Sequence, residues 1–105
     1  MILTPEQVEA NWSRHLQYID DYITGERKDK LRATYESLAE YMVLAPASSK
    51  TWYHNAFPGG YVEHVNRVVE LALRTMKFWH VSGATIDFTE EELVFAALNH
   101  DLGKI

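Results

Sequence analysis

The segment GYVEHVNRVVELALRTMKF, residues 60–78, decides the fold of this chain. Its apolar residues recur every three or four positions, which is the spacing of one helix face, so the segment predicts an amphipathic helix that begins at about Gly60. The preceding PGG at positions 58–60 breaks any helix that enters from the N-terminal side. The predicted apolar stripe consists of Val62, Val65, Val69, Leu73 and Met76.

A first helix is predicted near the start of the chain. Thr4 is a suitable N-cap, Pro5 suits the first helical position, and Gln7 stands at the capping-box position. Apolar residues at helical spacing extend the helix over about residues 5–23, and Thr24-Gly25 ends it.

A second helical run follows and ends before Pro46. Because the connection between the two runs is short, they are predicted to form an antiparallel hairpin that serves as scaffold over residues 1–50. The apolar face of the second run consists of Leu31, Tyr35, Leu38 and Met42.

The last predicted helix begins with a second capping box, formed by Thr89 and Glu92. Its inward face is predicted to carry Leu93, Ala96, Ala97 and His100, and Gly103 is predicted to close it as a left-handed cap. No strand pattern, internal repeat or low-complexity tract interrupts this series. The sequence therefore predicts an all-α fold, a bundle of four to five helices.

Composition limits the class of protein. A length of 105 residues allows one domain at most. The net charge is -5 and the ten Lys and Arg residues are scattered, which argues against an extended nucleic acid as partner. The absence of cysteine removes disulfides and thiolate ligands, and no apolar run approaches a membrane span. A cytoplasmic protein without a membrane partner is expected.

Three candidate metal ligands stand at the ends of the third and fourth predicted long helices. If these helices are antiparallel, His64 lies beside His100 and Asp101, and two imidazoles with one carboxylate make a mononuclear site with open positions. A structural role is the alternative to metal binding. A lone His is more often a helix cap or a core residue, and this is the interpretation favoured for His15 and His80. Lys104 could also neutralise Asp101 without a metal.

The turn before residue 60 adds a second feature. Gly59 and Gly60 allow close backbone approach and are expected to expose helix N-terminal amides. Such amides beside a metal predict an anion-binding site, and residues 51–105 are therefore the predicted metal and phosphate region.

Four stretches resemble the HD superfamily of metal-dependent phosphohydrolases, namely HDLGK (100–104), AAL (96–98), PGGYVEH (58–64) and HNAFPGG (54–60). The last is most similar to HD-type exoribonucleases and small phage-encoded HD proteins. The resemblance implies a divalent metal, with Mn, Fe, Co, Ni, Zn or Mg as candidates, on His64, His100 and Asp101. It also implies a later Asp ligand, which has no counterpart. The chain is therefore expected to be the N-terminal part of a longer HD-like domain.

The expected function is hydrolysis of a phosphate ester, with a nucleotide or related small molecule as substrate. Asp101 and Lys104 are the predicted catalytic residues, and His54, Gly59, Gly60 and Lys104 are the predicted substrate-binding residues. The alternative is a catalytically inactive HD-like module that binds a nucleotide or a protein, and homo-oligomers are left open. A third hypothesis is a helical interaction domain that binds a partner through an aromatic patch, which consists of Trp52, Tyr53, Phe57 and Tyr61.

Overall fold

The computed structural model describes residues 2–47 and 57–105. These ranges contain α1 (Pro5–Tyr22), α2 (Gly25–Ser37), α3 (Ala39–Leu44), α4 (Gly60–Val81), α5 (Glu90–Asn99) and a final 3-10 turn (Leu102–Lys104). No strand occurs within them, which confirms the predicted all-α bundle. None of the helices in these ranges has the length and apolar character needed to cross a membrane.

Two helix starts agree closely with the sequence. Thr4 Oγ1 accepts from the Gln7 amide at 3.1 Å, and Gln7 Oε1 accepts from the Thr4 amide at 2.9 Å. The same reciprocal pair joins Thr89 and Glu92 at 3.0 and 2.8 Å. Both predicted capping boxes are confirmed, because each satisfies amides that the first helical turn leaves unpaired.

The second helical run is broken, although its apolar spacing predicts one continuous helix. Leu38 leaves helical geometry, with φ -102° and ψ 5°, and separates α2 from α3. Ser37 Oγ donates to the Thr34 carbonyl at 2.7 Å, and the Leu38 amide reaches the same carbonyl at 3.1 Å. A serine side chain that competes for a carbonyl in the last turn weakens continuation of the helix. The predicted apolar face nevertheless packs inward on both pieces.

The core lies between α1, α2, α4 and α5, with α3 closing one end. The buried residues of α4 lie in its N-terminal half, whereas Leu73 and Met76 are only partly covered; the buried set is Gly60, Tyr61, Val62, Val65, Asn66 and Val69. The C-terminal half of α4 extends beyond the core. The large apolar side chains that it leaves exposed are Leu71, Phe78, Trp79 and Val81.

The inward face of α5 differs from the predicted one. Val94, Ala97 and Leu98 are buried, whereas Ala96 is exposed and His100 lies just beyond the helix at its C-cap. Two overlapping sets of residues fit helical periodicity in this short segment, and packing against α4 selects the one centred on Val94 and Leu98. The left-handed cap predicted at Gly103 is also wrong, since the chain turns into a 3-10 helix in which Lys104 N donates to Asp101 O at 3.0 Å.

A buried polar pair joins α1 to α4. His15 is fully buried, and its Nδ1 lies 2.8 Å from Asn66 Oδ1. Because Asn66 Nδ2 donates to the Asn11 carbonyl at 2.9 Å, Asn66 Oδ1 is the acceptor and His15 Nδ1 carries the proton. The ring stacks on Trp12 and on Tyr35, with centroids 5.8 and 5.2 Å away. The prediction that His15 is structural fits this placement.

His15 makes stability depend on pH. Burial lowers the pKa of His15 from 6.5 to about 4, although the Asn66 hydrogen bond opposes the shift. The unfolded chain therefore binds this proton below pH 6.5 and the folded chain binds it only near pH 4. The stabilisation is fully present above pH 6.5, and about 3 kcal/mol of it should be lost between pH 6.5 and 4.

Urea unfolding of His15→Phe and of the wild type across pH 7 to 4 checks this expectation. The variant keeps an aromatic ring but cannot titrate, so its free energy of unfolding should fall less steeply with decreasing pH. His80→Gln, at an exposed position on α4, should retain the wild-type slope. Equal slopes for His15→Phe and the wild type would contradict the assignment.

Candidate metal centre

The three predicted ligands meet where the start of α4 lies beside the end of α5. One ligand atom from each of His64, His100 and Asp101 lies within 4.8 Å of the other two. Both imidazoles approach the same carboxylate oxygen: Asp101 Oδ2 is 3.4 Å from His64 Nε2 and 3.0 Å from His100 Nε2. The convergence predicted from antiparallel packing is therefore present.

Each element fixes its ligand by backbone geometry. His64 projects from the second turn of α4, whose start is fixed by Gly59 and Gly60. His100 and Asp101 follow the last residue of α5, Asn99. One imidazole thus comes from a helix, and the adjacent His-Asp pair comes from the turn that ends another.

Hydrogen bonds from a residue of α2 hold the end of α5 in place. The Tyr35 hydroxyl contacts Asn99 Oδ1 at 2.6 Å and the Leu98 carbonyl at 3.2 Å. Asn99 Nδ2 in turn donates to the Phe95 carbonyl at 2.8 Å. Because a free helix end frays, these contacts restrict the two ligands that follow.

The orientation of the His100 ring determines which nitrogen faces the site. His100 Nδ1 lies 2.7 Å from the Ala97 carbonyl, which only accepts, so Nδ1 carries the proton. In the neutral ring Nε2 then presents a lone pair toward the carboxylate of Asp101. Two acceptors 3.0 Å apart repel each other unless a proton or a cation lies between them. The arrangement therefore calls for positive charge at this point.

The separations suit a metal ion. Ligand atoms bound about 2.1 Å from one ion are about 3.0 Å apart along an octahedral edge and about 3.4 Å apart in a tetrahedron. The two nitrogen-to-oxygen distances at Asp101 Oδ2, 3.0 and 3.4 Å, match these values. The side chains of His64 and Asp101 are each 22% exposed, so the centre is accessible without being fully solvated.

Lys104 does not face the carboxylate oxygen that the imidazoles approach. Its ammonium lies 3.8 Å from Asp101 Oδ1, while the two imidazoles face Oδ2. The Lys104 side chain is 59% exposed, which leaves the contact screened by solvent. Asp101 also follows the C-terminus of α5, where the helix dipole adds negative potential. The contact with Lys104 therefore involves Oδ1 and not the oxygen that the two imidazoles face.

The predicted glycine anion site is not formed as expected. Gly59 and Gly60 are buried, and their amides donate to the carbonyls of Leu44 at 3.2 Å and Phe57 at 2.9 Å. The prediction of exposed amides at these two residues is therefore wrong. Gly59 instead permits close packing: its φ is +83°, and a Cβ there would lie 3.0 Å from Val8 Cγ2.

Some predicted site residues lie outside the described ranges, and others belong to the core. His54, Trp52 and Tyr53 fall between residues 47 and 57 and are not described. Tyr61 is completely buried, so it belongs to the core and cannot form an exposed aromatic patch.

Sequence reasoning missed two polar atoms near the ligands. Tyr61 precedes His64 by one helical turn, and its hydroxyl is buried without a hydrogen-bond partner among the described residues. The same is true of Glu63 Oε2. Burial, reinforced by the negative charge of Asp101, raises the pKa of Tyr61 to about 12. The three-residue spacing of Tyr61 and His64 could have indicated that the two side chains are neighbours on one helix.

Comparisons with protein-family models, with curated proteins and with solved structures find no match to this chain.

Metal binding at this centre should raise stability. At a free Mn²⁺ or Co²⁺ concentration about 100 times the dissociation constant, the free energy of unfolding should rise by about 2.7 kcal/mol. His64→Ala and Asp101→Ala should abolish most of this gain, because each removes one of three ligands. Calorimetric titration and urea unfolding with and without metal measure both effects.

His80→Ala is the matched control, since His80 is exposed and is not among the three grouped ligands. This variant should bind metal as the wild type does. Equal loss of binding in His80→Ala and His64→Ala would show that metal uptake occurs elsewhere.

Proposed function

We propose that this chain carries the metal centre of an HD-like phosphohydrolase or phosphodiesterase whose substrate is a nucleotide or a related phosphate ester. The observation that supports the proposal is the convergence of two imidazole nitrogens and one carboxylate oxygen within 4.8 Å. The side chains of His64 and Asp101 are each 22% exposed, and an accessible mononuclear centre suits hydrolysis better than a purely structural role.

His64, His100 and Asp101 would hold the cation. When bound, a divalent ion supplies charge that polarises a phosphoryl oxygen and makes a coordinated water more acidic. The mixed nitrogen and oxygen donors suit Mn, Fe, Co, Ni or Zn, whereas Mg prefers oxygen alone.

The protein side chains supply orientation and charge. The Ala97 carbonyl fixes the proton of His100 on Nδ1, which keeps the lone pair on Nε2 directed at the centre. Asp101 contributes the negative charge that favours cation binding. Lys104 has an exposed ammonium near the carboxylate, and this ammonium is available to an anionic phosphate.

A non-catalytic module is the second candidate. The observation that favours it is the exposed apolar surface on the C-terminal half of α4, where Phe78 and Val81 are 68% and 77% exposed. Such a module would bind a nucleotide or a protein partner without turnover. Assaying release of phosphate or nucleotide from a panel of nucleoside phosphates, cyclic nucleotides and short RNA ends, with Mn²⁺ present, separates the two candidates.

Lys104→Ala should weaken binding of phosphate or nucleotide to the metal-loaded protein. Loss of one charge-assisted contact is worth about 1.5 to 3 kcal/mol, which corresponds to roughly a ten- to hundredfold increase in the dissociation constant. Metal content and stability should change little, because the side chain is exposed. Calorimetric titration of inorganic phosphate and of a nucleotide measures the change.

Lys77→Ala serves as the control, since Lys77 is an exposed lysine on α4 outside the centre. Its anion affinity should equal that of the wild type. If Lys104→Ala also retains full anion affinity, Lys104 is only a counterion of Asp101.

A further inference from the structure

The hydroxyl of Tyr61 is a buried donor that the described residues leave without a partner. The whole residue has no exposed surface, so bulk solvent does not compensate for the missing hydrogen bond. A buried polar group without a partner is destabilising, and most such groups in proteins are paired. Phenylalanine would fill the same space without this cost. The hydroxyl therefore points to a partner that is not part of the described chain.

The backbone places Tyr61 next to a ligand of the proposed metal centre. Tyr61 and His64 are three positions apart on α4, so their side chains are neighbours on the helix surface. The Tyr61 amide donates to the Ala45 carbonyl at 2.9 Å, which fixes the start of the helix. The carboxylate of Asp101 is close enough to influence the tyrosine electrostatically.

Tyr35 provides the contrast. It is equally buried, but its hydroxyl is already engaged by Asn99 Oδ1 at 2.6 Å. Two core tyrosines thus border the same end of the bundle, one with its donor used and one with its donor unused. The Tyr35 hydroxyl therefore anchors the end of α5, whereas the Tyr61 hydroxyl can still donate a hydrogen bond to a group bound at the site.

A divalent cation on three protein ligands brings waters in its remaining positions. We propose that Tyr61 is a positioning residue whose hydroxyl donates a hydrogen bond to a water that a divalent cation carries into the centre of His64, His100 and Asp101. This inference rests on the proposed function, because it requires a cation at that centre. It assigns to Tyr61 the orientation of a coordinated water and explains why a tyrosine occupies this core position.

Tyr61→Phe tests the inference because it removes only the hydroxyl. In metal-free protein the urea midpoint should stay the same or rise, since the lost hydroxyl had no partner. The Co²⁺ dissociation constant should increase about fivefold, the effect of one hydrogen bond. The visible absorption band of bound Co²⁺ should also shift, because it reports the ligands around the ion and not packing elsewhere.

Tyr18→Phe is the matched control. The Tyr18 hydroxyl contacts Glu70 Oε2 at 3.3 Å, away from the three ligands, so its removal should leave Co²⁺ affinity and absorption unchanged. Tyr35→Phe should instead lower the urea midpoint of the metal-free protein, because its hydroxyl is paired there.

The outcomes are distinguishable. A lower urea midpoint for metal-free Tyr61→Phe, with wild-type Co²⁺ affinity and absorption, would mean that the hydroxyl has a protein partner and would overturn the inference. Wild-type values in every measurement would overturn it as well. If the wild type binds Co²⁺ and hydrolyses a phosphate ester while Tyr61→Phe behaves identically, only the inference fails. If the wild type binds no Co²⁺, the proposed metal centre fails and the inference fails with it.

Discussion

The hydrogen bond from His15 Nδ1 to Asn66 Oδ1 is the constraint on which the rest of the bundle depends. It joins α1 to α4 inside an otherwise apolar core, where an unpaired polar group is costly. The His15 ring also stacks on Tyr35, whose hydroxyl holds Asn99 at the end of α5. One buried polar connection therefore aligns the helix that carries His64 with the helix end that carries His100 and Asp101.

Features set by neighbouring residues could be predicted from the sequence. The capping boxes at Thr4 and Thr89 each depend on two residues three positions apart, so the local sequence is sufficient to predict them. The start of α4 at Gly60 follows from the Pro-Gly-Gly turn. The grouping of His64 with His100 and Asp101 needed one further assumption, antiparallel packing of α4 and α5. Metal binding and hydrolysis stay predictions.

Features set by packing could not be predicted in the same way. The buried face of α5 was misassigned because Leu93 and Val94 both fit a helical stripe, and only contact with α4 separates them. The break at Leu38 arises without proline or glycine. The amides of Gly59 and Gly60 were predicted to be exposed, but in the folded chain they donate to the carbonyls of Leu44 and Phe57. The contrast between the Tyr35 and Tyr61 hydroxyls likewise depends on distant partners.

The polar pairs that tie the helices together span large distances in sequence. His15 and Asn66 are 51 positions apart, Tyr35 and Asn99 are 64 apart, and Thr24 and Glu91 are 67 apart. Individual helices form from local contacts in about a microsecond, whereas closing such loops costs entropy before the pair is gained. Because the Tyr35–Asn99 pair holds the end of α5, the ends of α4 and α5 should reach their final geometry late in folding. A cation between them would lengthen the lifetime of the folded chain more than it would shorten the time needed to reach it.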